Sequence, residues 1–244
     1  MVTRSTPGTG RCRQPDCAAQ LIVPSSVPMR RADFETVQTR YRDAAVAGRY
    51  DKRYRGWEGS LNVRAMFRAL RRALAEVPAG ARVLDAPCGT GVFVGFLATA
   101  GYRTFASDIS LEMMQVARDA KRKAHTAAHF FQGDIFRLPI RPKTFEAALC
   151  MRFMNLVDRP QRVAAVRELA RVADVVIVGY YHKYTFKYLG RWVRSALGLR
   201  ERPSNRLSRR ELLAEIAETG LKLERLISVA PILSEAWIAV LRKN

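Results

Sequence analysis

Cysteine is scarce in this chain of 244 residues: there are four, Cys12, Cys17, Cys88 and Cys150. Thiols so few and so scattered exclude a disulfide framework, and a reducing, cytoplasmic compartment is expected. Histidine is scarcer still, three in all. Cys12 and Cys17 form a C-x4-C pair with no third ligand nearby, so no metal site is expected. Long hydrophobic runs are missing too, none approaching the ~20 residues of a membrane span. "AAQLIVP" is short for a secretory leader, and residues 1–30, with four prolines, are read as a flexible basic tail. Acids are the last deficit: 22 Asp and Glu stand against 42 Lys and Arg, a formal charge of +20. That balance raises an anionic partner or surface, while an Arg- and Ala-rich composition set by genome bases is the plain alternative.

What is present is ample apolar material, 48% of residues, enough for one full core in a single domain over 31–244. A helix is expected over 32–49, with Phe34, Val37, Tyr41 and Ala45 on one face, and a second through 60–77. There Val63, Met66, Phe67, Leu70 and Leu74 share one face and arginines the other. These make an N-terminal cap, 31–79, ahead of a core at 80–180. From Arg82 on, short apolar segments "RVLDA", "RTFASD", "HFFQGD", "FEAALCM" and "DVVIVGYY" alternate with helical stretches at 91–99, 110–124 and 159–172. Strands alternating with helices imply a parallel sheet covered on both faces. Ser208 to Glu211 reads as a capping box and Gly220 as a left-handed helix stop. Two final strands around Pro231 read as an antiparallel pair, so 211–244 is a closing helix and strand pair.

The segment "ARVLDAPCGTGVFVGF", 81–96, takes a buried strand through an acid and a small-residue turn into a helix. Such a turn brings backbone N–H groups close to a ligand. A dinucleotide fingerprint needs a third glycine, absent after Gly89-Thr90-Gly91, and no Gly-Lys-Ser/Thr follows for a P-loop. Asp85 before the turn would repel a pyrophosphate and attract a cationic amine.

"VLDAPCGTG" resembles the first motif of the S-adenosylmethionine-dependent methyltransferases with a Rossmann-like sheet, and Tyr50-Asp51 ahead of a helix is similar to the segment with which the quinone and small-molecule branch covers the donor. Pro87 replaces the first glycine of D-x-G-x-G-x-G, which is compatible with the motif if that position needs no positive φ. Asp108 ends the second strand 23 positions after Asp85, where the family puts an acid on the ribose hydroxyls, with Ile109 beside it and Ser110 free to cap the next helix. "GDIFRLP", 133–139, is similar to the segment whose acid, here Asp134, meets the adenine amine while Ile135 packs on the ring. The dull counterparts are a helix cap for Asp108 and a turn for Asp134. The resemblance implies an α/β, doubly wound, mostly parallel seven-stranded sheet with an antiparallel final strand and helices on both faces. It also implies S-adenosyl-L-methionine as cofactor, held by Asp85, Ala86, Gly89, Thr90, Gly91, Asp108, Ile109, Asp134, Ile135 and Met151.

Methyl transfer from a sulfonium needs alignment of an acceptor, and a base only where the acceptor keeps its proton. Candidates after the fourth and fifth strands are Arg152, Asn155, Tyr181 and His182. His182 draws most attention because it titrates near neutrality, a solvated loop histidine being the alternative. Cys88 and Cys150 read as core. The elements of nucleic-acid amino and cytosine-carbon enzymes are missing from "RFMN", which directs the expectation to a small or lipid-soluble acceptor. An RNA acceptor and a non-catalytic module binding nucleic acid or a protein are the alternatives. The insertion 181–210 is basic, with nine Lys or Arg against one acid over 182–210. Lys183, Lys187, Arg191 and Arg194 fall on one helical stripe, which suits an anionic membrane surface via 183–200, a lid, or a solvated face. Tyr50, Tyr54 and Trp57 are expected to roof the pocket or pack the cap helices.

Overall fold

The computed structural model describes residues 57–184, 205–230 and 234–243. The expected tail, the helix over 32–49, Tyr50, Tyr54, Pro231 and the basic stretch 185–200 lie outside them, as does the Trp57 side chain. Within them run α1 (Trp57–Ala73), β1 (Arg82–Asp85), α2 (Val92–Thr99), β2 (Arg103–Asp108), α3 (Leu111–Lys123), β3 (His129–Gln132), β4 (Phe145–Cys150), α4 (Arg159–Val172), β5 (Ala173–Tyr181), α5 (Arg209–Thr219), β6 (Leu221–Ser228) and β7 (Ala236–Lys243).

The seven strands form one sheet in the order β3-β2-β1-β4-β5-β7-β6. β1 pairs in parallel with β2 and β4, and β7 runs antiparallel between β5 and β6. This is the doubly wound, mostly parallel sheet expected. The order reverses at β1, so the crevice between the carboxyl ends of β1 and β4 is the switch point where such sheets bind ligands. The central strands are buried on both faces and mostly apolar, Ile177 and Val178 in β5 being inaccessible, with polar residues such as Asp85 and Asp108 at the strand ends.

Each face carries its own core. On one, Leu70 of α1 and Leu74 just after it pack with Phe93 and Leu97 of α2 over Val83 and Ile177. Phe67 stacks on Phe96 at 4.7 Å. On the other, Val166 and Leu169 of α4 and Leu212 and Ile216 of α5 cover Leu84, Ala148 and Val176. α1 stops at Ala73, four residues before the expected end, because Pro78 disfavours helical backbone just ahead of it. Leu74 and Val77 remain buried all the same.

The helix ends behave as their sequences require. The Ser208 hydroxyl accepts the Glu211 N–H at 3.2 Å, and Glu211 accepts the Ser208 N–H at 2.6 Å. Gly220 closes α5 at φ 76°. Asp158 and Gln161 form a second box at α4, which sequence reading passed over. Lys183, expected in a basic stripe, is tied to Glu211 at 2.9 Å. Together with the Ser208 bonds, that ion pair pulls the Glu211 carboxyl down to about 2. No described helix is long and apolar enough to cross a membrane.

Candidate functional site

β1 delivers the chain to the switch point and the turn after it forms one wall of a cleft. Ala86, Pro87 and Gly89 line it from this side. Gly89 and Gly91 have φ of 51° and 75°, whereas Pro87 has no positive φ. The substitution of proline for the motif's first glycine is therefore accommodated, and glycine sits where the backbone demands it. Gly91 also touches α3: a Cβ there would lie 2.9 Å from the Ala117 Cβ. Gly91→Ala is expected to lower unfolding free energy by about 2–3 kcal/mol, combining left-handed strain with overpacking. Ala117→Gly in the same chain should recover only the overpacking share in a urea titration.

β2 supplies the second wall through Ser107, Asp108 and Ile109. The Asp108 carboxylate accepts the Gly89 N–H at 2.8 Å and the Ser110 N–H at 3.0 Å, so it ties two strand tips together. Capping of α3 falls to Ser110, whose hydroxyl accepts the Met113 N–H at 3.1 Å. Burial pushes the Asp108 pKa up while the backbone donors hold it down. With two donors filling part of its capacity, the carboxylate keeps lone pairs for a ligand's hydroxyls.

After β3 the chain turns at Gly133 and Asp134. The strand ends at Gln132, short of the expected segment, and Gly133 adds the last ladder bond by donating its N–H to the Asp108 carbonyl at 3.1 Å. A Cβ at 133 would meet the Ser107 Oγ at 2.7 Å, so glycine is required by close approach. Asp134 Oδ1 accepts the Phe136 N–H at 3.0 Å. Its pKa is raised, chiefly by burial. Asp134 therefore makes its turn and faces the cleft at once, beside Ile135 and Phe136.

The loop after β4 closes the cleft with Met151, Arg152, Phe153, Leu156 and Val157. Phe136 and Phe153 meet edge to face at 6.0 Å. Arg152 has φ 65°, an uncommon backbone for a side-chain-bearing residue, which it shares with His125, Lys143 and Asn205 away from the cleft. Neither phenylalanine, nor Met113 on α3, stood out in the sequence, where each reads as ordinary core.

Of the residues expected to bind a cofactor, Ala86, Gly89, Asp108, Ile109, Asp134, Ile135 and Met151 line the cleft together. Asp85, Thr90 and Gly91 stand behind its wall. Asp85 is completely inaccessible, and neither carboxylate oxygen has a hydrogen-bond partner among the described residues. Of the expected catalytic residues, Arg152 lines the cleft, whereas Asn155, Tyr181 and His182 do not. His182 is 2% exposed and stacks on Trp237 at 4.5 Å. Its Nδ1 accepts the Tyr184 N–H at 3.1 Å, which puts the proton of the neutral ring on Nε2. Burial lowers its pKa. The Asn155 carbonyl accepts from Asn205 Nδ2 at 3.0 Å. Cys88 and Cys150 are buried, with pKa values pushed up by burial, as befits core thiols. Among the described residues no cluster of His, Cys, Asp and Glu could hold a metal.

Residues 83–174 match the family described as methyltransferase domain. Over 71 residues the chain is 44% identical to malonyl-[acyl-carrier protein] O-methyltransferase of Pectobacterium atrosepticum, covering 28% of this chain and 26% of that one. It is 30% identical over 129 residues to demethylmenaquinone methyltransferase of Corynebacterium kroppenstedtii, 52% of each. The chain thus spans between about a quarter and just over half of the length of these curated relatives. Magnesium protoporphyrin IX methyltransferase from Synechocystis, solved with bound SAH, superposes at TM-score 0.67 over 86% of this chain and 100% of that one. At 18% identity, this likeness speaks for the fold.

Proposed function

We propose that this chain, whose residues 83–174 match the methyltransferase-domain family, transfers the methyl group of S-adenosylmethionine to a small or lipid-soluble acceptor. The observation that carries the proposal is the convergence of Asp108 and Asp134, from two successive strand ends, on one cleft walled by a glycine turn.

The cleft fits the donor. Asp108 has acceptor capacity left for the two ribose hydroxyls, and Asp134 Oδ2 for the adenine amine. Ile109, Ile135 and Phe136 give the nucleoside apolar walls. Gly89 and Pro87 let the backbone come close to the amino-acid end. When bound, the cofactor supplies a carbon already activated by its sulfonium, so alignment and exclusion of water account for most of the rate. Met151 and Phe153 exclude water at the β4 side. Arg152, the cationic side chain among the lining residues, is proposed to orient the acceptor through an electron-rich oxygen. His182 lies behind Trp237, so a proton-transfer role for it would require that stack to open. Asn155 and Tyr181 are proposed as supports of the acceptor side.

The relatives act, by their names, on a quinone and on a malonyl group, which supports the small-molecule reading over RNA. Action in the cytoplasm, with the basic stretch 183–200 resting on an anionic membrane face, is part of the same proposal. The test is incubation of the purified chain with methyl-labelled donor and a cell extract, followed by separation into lipid, aqueous, protein and RNA fractions. Label in an organic-extractable or free small molecule is the expected result. Label confined to RNA, or no transfer despite bound donor, would overturn the reading.

A further inference from the structure

Between the end of β3 at Gln132 and the start of β4 at Phe145 the chain belongs to no strand, so its backbone groups must find partners elsewhere. The first part of this stretch is the turn that brings Asp134, Ile135 and Phe136 to the cleft. It closes on itself: the Asp134 carbonyl accepts the Arg137 N–H at 2.9 Å, and Asp134 Oδ1 accepts the Phe136 N–H at 3.0 Å. Such a turn still has to be fixed in space. At its start the Gly133 N–H reaches the Asp108 carbonyl on β2. At its end the anchor comes from α4.

Glu168 and Arg171 stand one turn apart near the carboxyl end of α4. The Glu168 carboxylate accepts the Leu138 N–H at 2.7 Å. Arg171 donates through Nη2 to the Leu138 carbonyl at 3.0 Å and through Nη1 to the Ile140 carbonyl at 2.8 Å. The two side chains also hold each other, Nε to Glu168 Oε2 at 2.8 Å and Nη2 to Oε1 at 2.7 Å. A planar guanidinium can grip two carbonyls and a carboxylate in one fixed arrangement, which an ammonium cannot. Leu138 and Ile140 are buried as well, so apolar packing sets how deep the loop sits. The polar bonds set the rotation of its peptide planes, and with it the direction of the turn just before them.

Resting on the function proposed above, we propose that Glu168 and Arg171 are positioning residues for base recognition: they fix the lip that carries Asp134 and Phe136, and so make the site selective for an amine-bearing purine. A carboxylate discriminates between an amine and a carbonyl only if it cannot turn away from the wrong one. A base with a carbonyl in that place would set its oxygen against the Asp134 charge. With the lip held, that repulsion stands; with the lip loose, the acid yields and the penalty fades.

The test titrates the full chain calorimetrically with S-adenosylhomocysteine and S-inosylhomocysteine, in which a ring carbonyl replaces the amine. Wild type should favour the adenosine form by about tenfold to a hundredfold, the range for one hydrogen bond to a charged group. In Arg171→Met the preference should fall to about threefold or less, as the freed acid loses its hold on the amine and its quarrel with the carbonyl. A general loss of stability would weaken both nucleosides alike and leave the ratio unmoved. Arg171→Lys keeps the charge beside Glu168 but cannot span both carbonyls; its ratio should lie in between, and it serves if Arg171→Met fails to fold. Added to Asp134→Ala, Arg171→Met should cost no further preference, because it acts through that acid. One readout needs no ligand: the Leu138 amide should exchange its hydrogen faster in Arg171→Met than in wild type. A wild type indifferent to the base, a ratio or a Leu138 exchange rate unchanged by Arg171→Met, or a further loss on top of Asp134→Ala would overturn the proposal. Should wild type bind neither nucleoside, the functional reading fails and base selection with it, while the Leu138 exchange rate still decides whether α4 holds the lip.

Discussion

Asp108→Ala should weaken S-adenosylmethionine binding by about a hundredfold or more, at roughly 1.5–3 kcal/mol for each hydrogen bond to a charged group. On the proposed function two such bonds, to the ribose hydroxyls, are lost together. The loss has a structural share as well. The carboxylate is 7% exposed and accepts the N–H groups of Gly89 and Ser110. Alanine leaves both donors unpaired in a buried place and unties the glycine turn from β2. Asp108→Asn separates the shares, since it keeps one acceptor oxygen and the side-chain size but gives up the charge. It should sit between wild type and alanine in calorimetric affinity while losing less stability. An affinity unchanged by Asp108→Ala would remove this residue from the donor site and, with it, the main support for the proposed function.

Glu215→Ala is expected to cost about 3–5 kcal/mol of stability, the range for breaking a buried ion pair from one side. Arg162 on α4 grips Glu215 on α5 through Nε at 2.9 Å and Nη2 at 2.6 Å, with side chains 6% and 3% exposed. Its remaining nitrogen, Nη1, donates to the Val157 carbonyl at 2.8 Å. Val157 lines the cleft, so the pair joins α5 to the loop after β4. Removing the acid strands a guanidinium among apolar residues. Replacing both partners by apolar side chains, Arg162→Met with Glu215→Leu, should restore most of the denaturant midpoint. The double variant still lacks the Val157 bond, and its loop should exchange amide hydrogens faster than wild type. A single variant as stable as wild type would show that the guanidinium finds water or another partner.

Much of this fold was legible in the chain. The boundaries of β2 and α4 follow from the bare sequence because apolar runs of period two and three-to-four, bounded by caps, are local signals. Asp158 and Ser208 cap their helices with side chains three residues apart from their partners. The cleft was legible too, since Gly89, Asp108 and Asp134, read as sharing one site through the family resemblance, line it together. Illegible were the features that depend on what one element meets in another. Asp85 reads as a ligand-facing acid, yet the pleat buries it behind the wall it was expected to form. His182 reads as a base at a strand tip, yet Trp237, 55 positions later, stacks over it. Gly95 drew no notice in the sequence, yet a Cβ there would stand 2.5 Å from the Lys121 ammonium on α3.

By itself the sequence determined the alternation of strands and helices, the glycine turn and the pair of acids at strand ends, because periodicity, capping and backbone permissiveness are properties of neighbours along the chain. Only the tertiary structure decided which of the acids and bases meet the cleft and which are walled off from it. Burial and the charge of a partner from another helix are set by packing between segments far apart in sequence, and no local pattern encodes them.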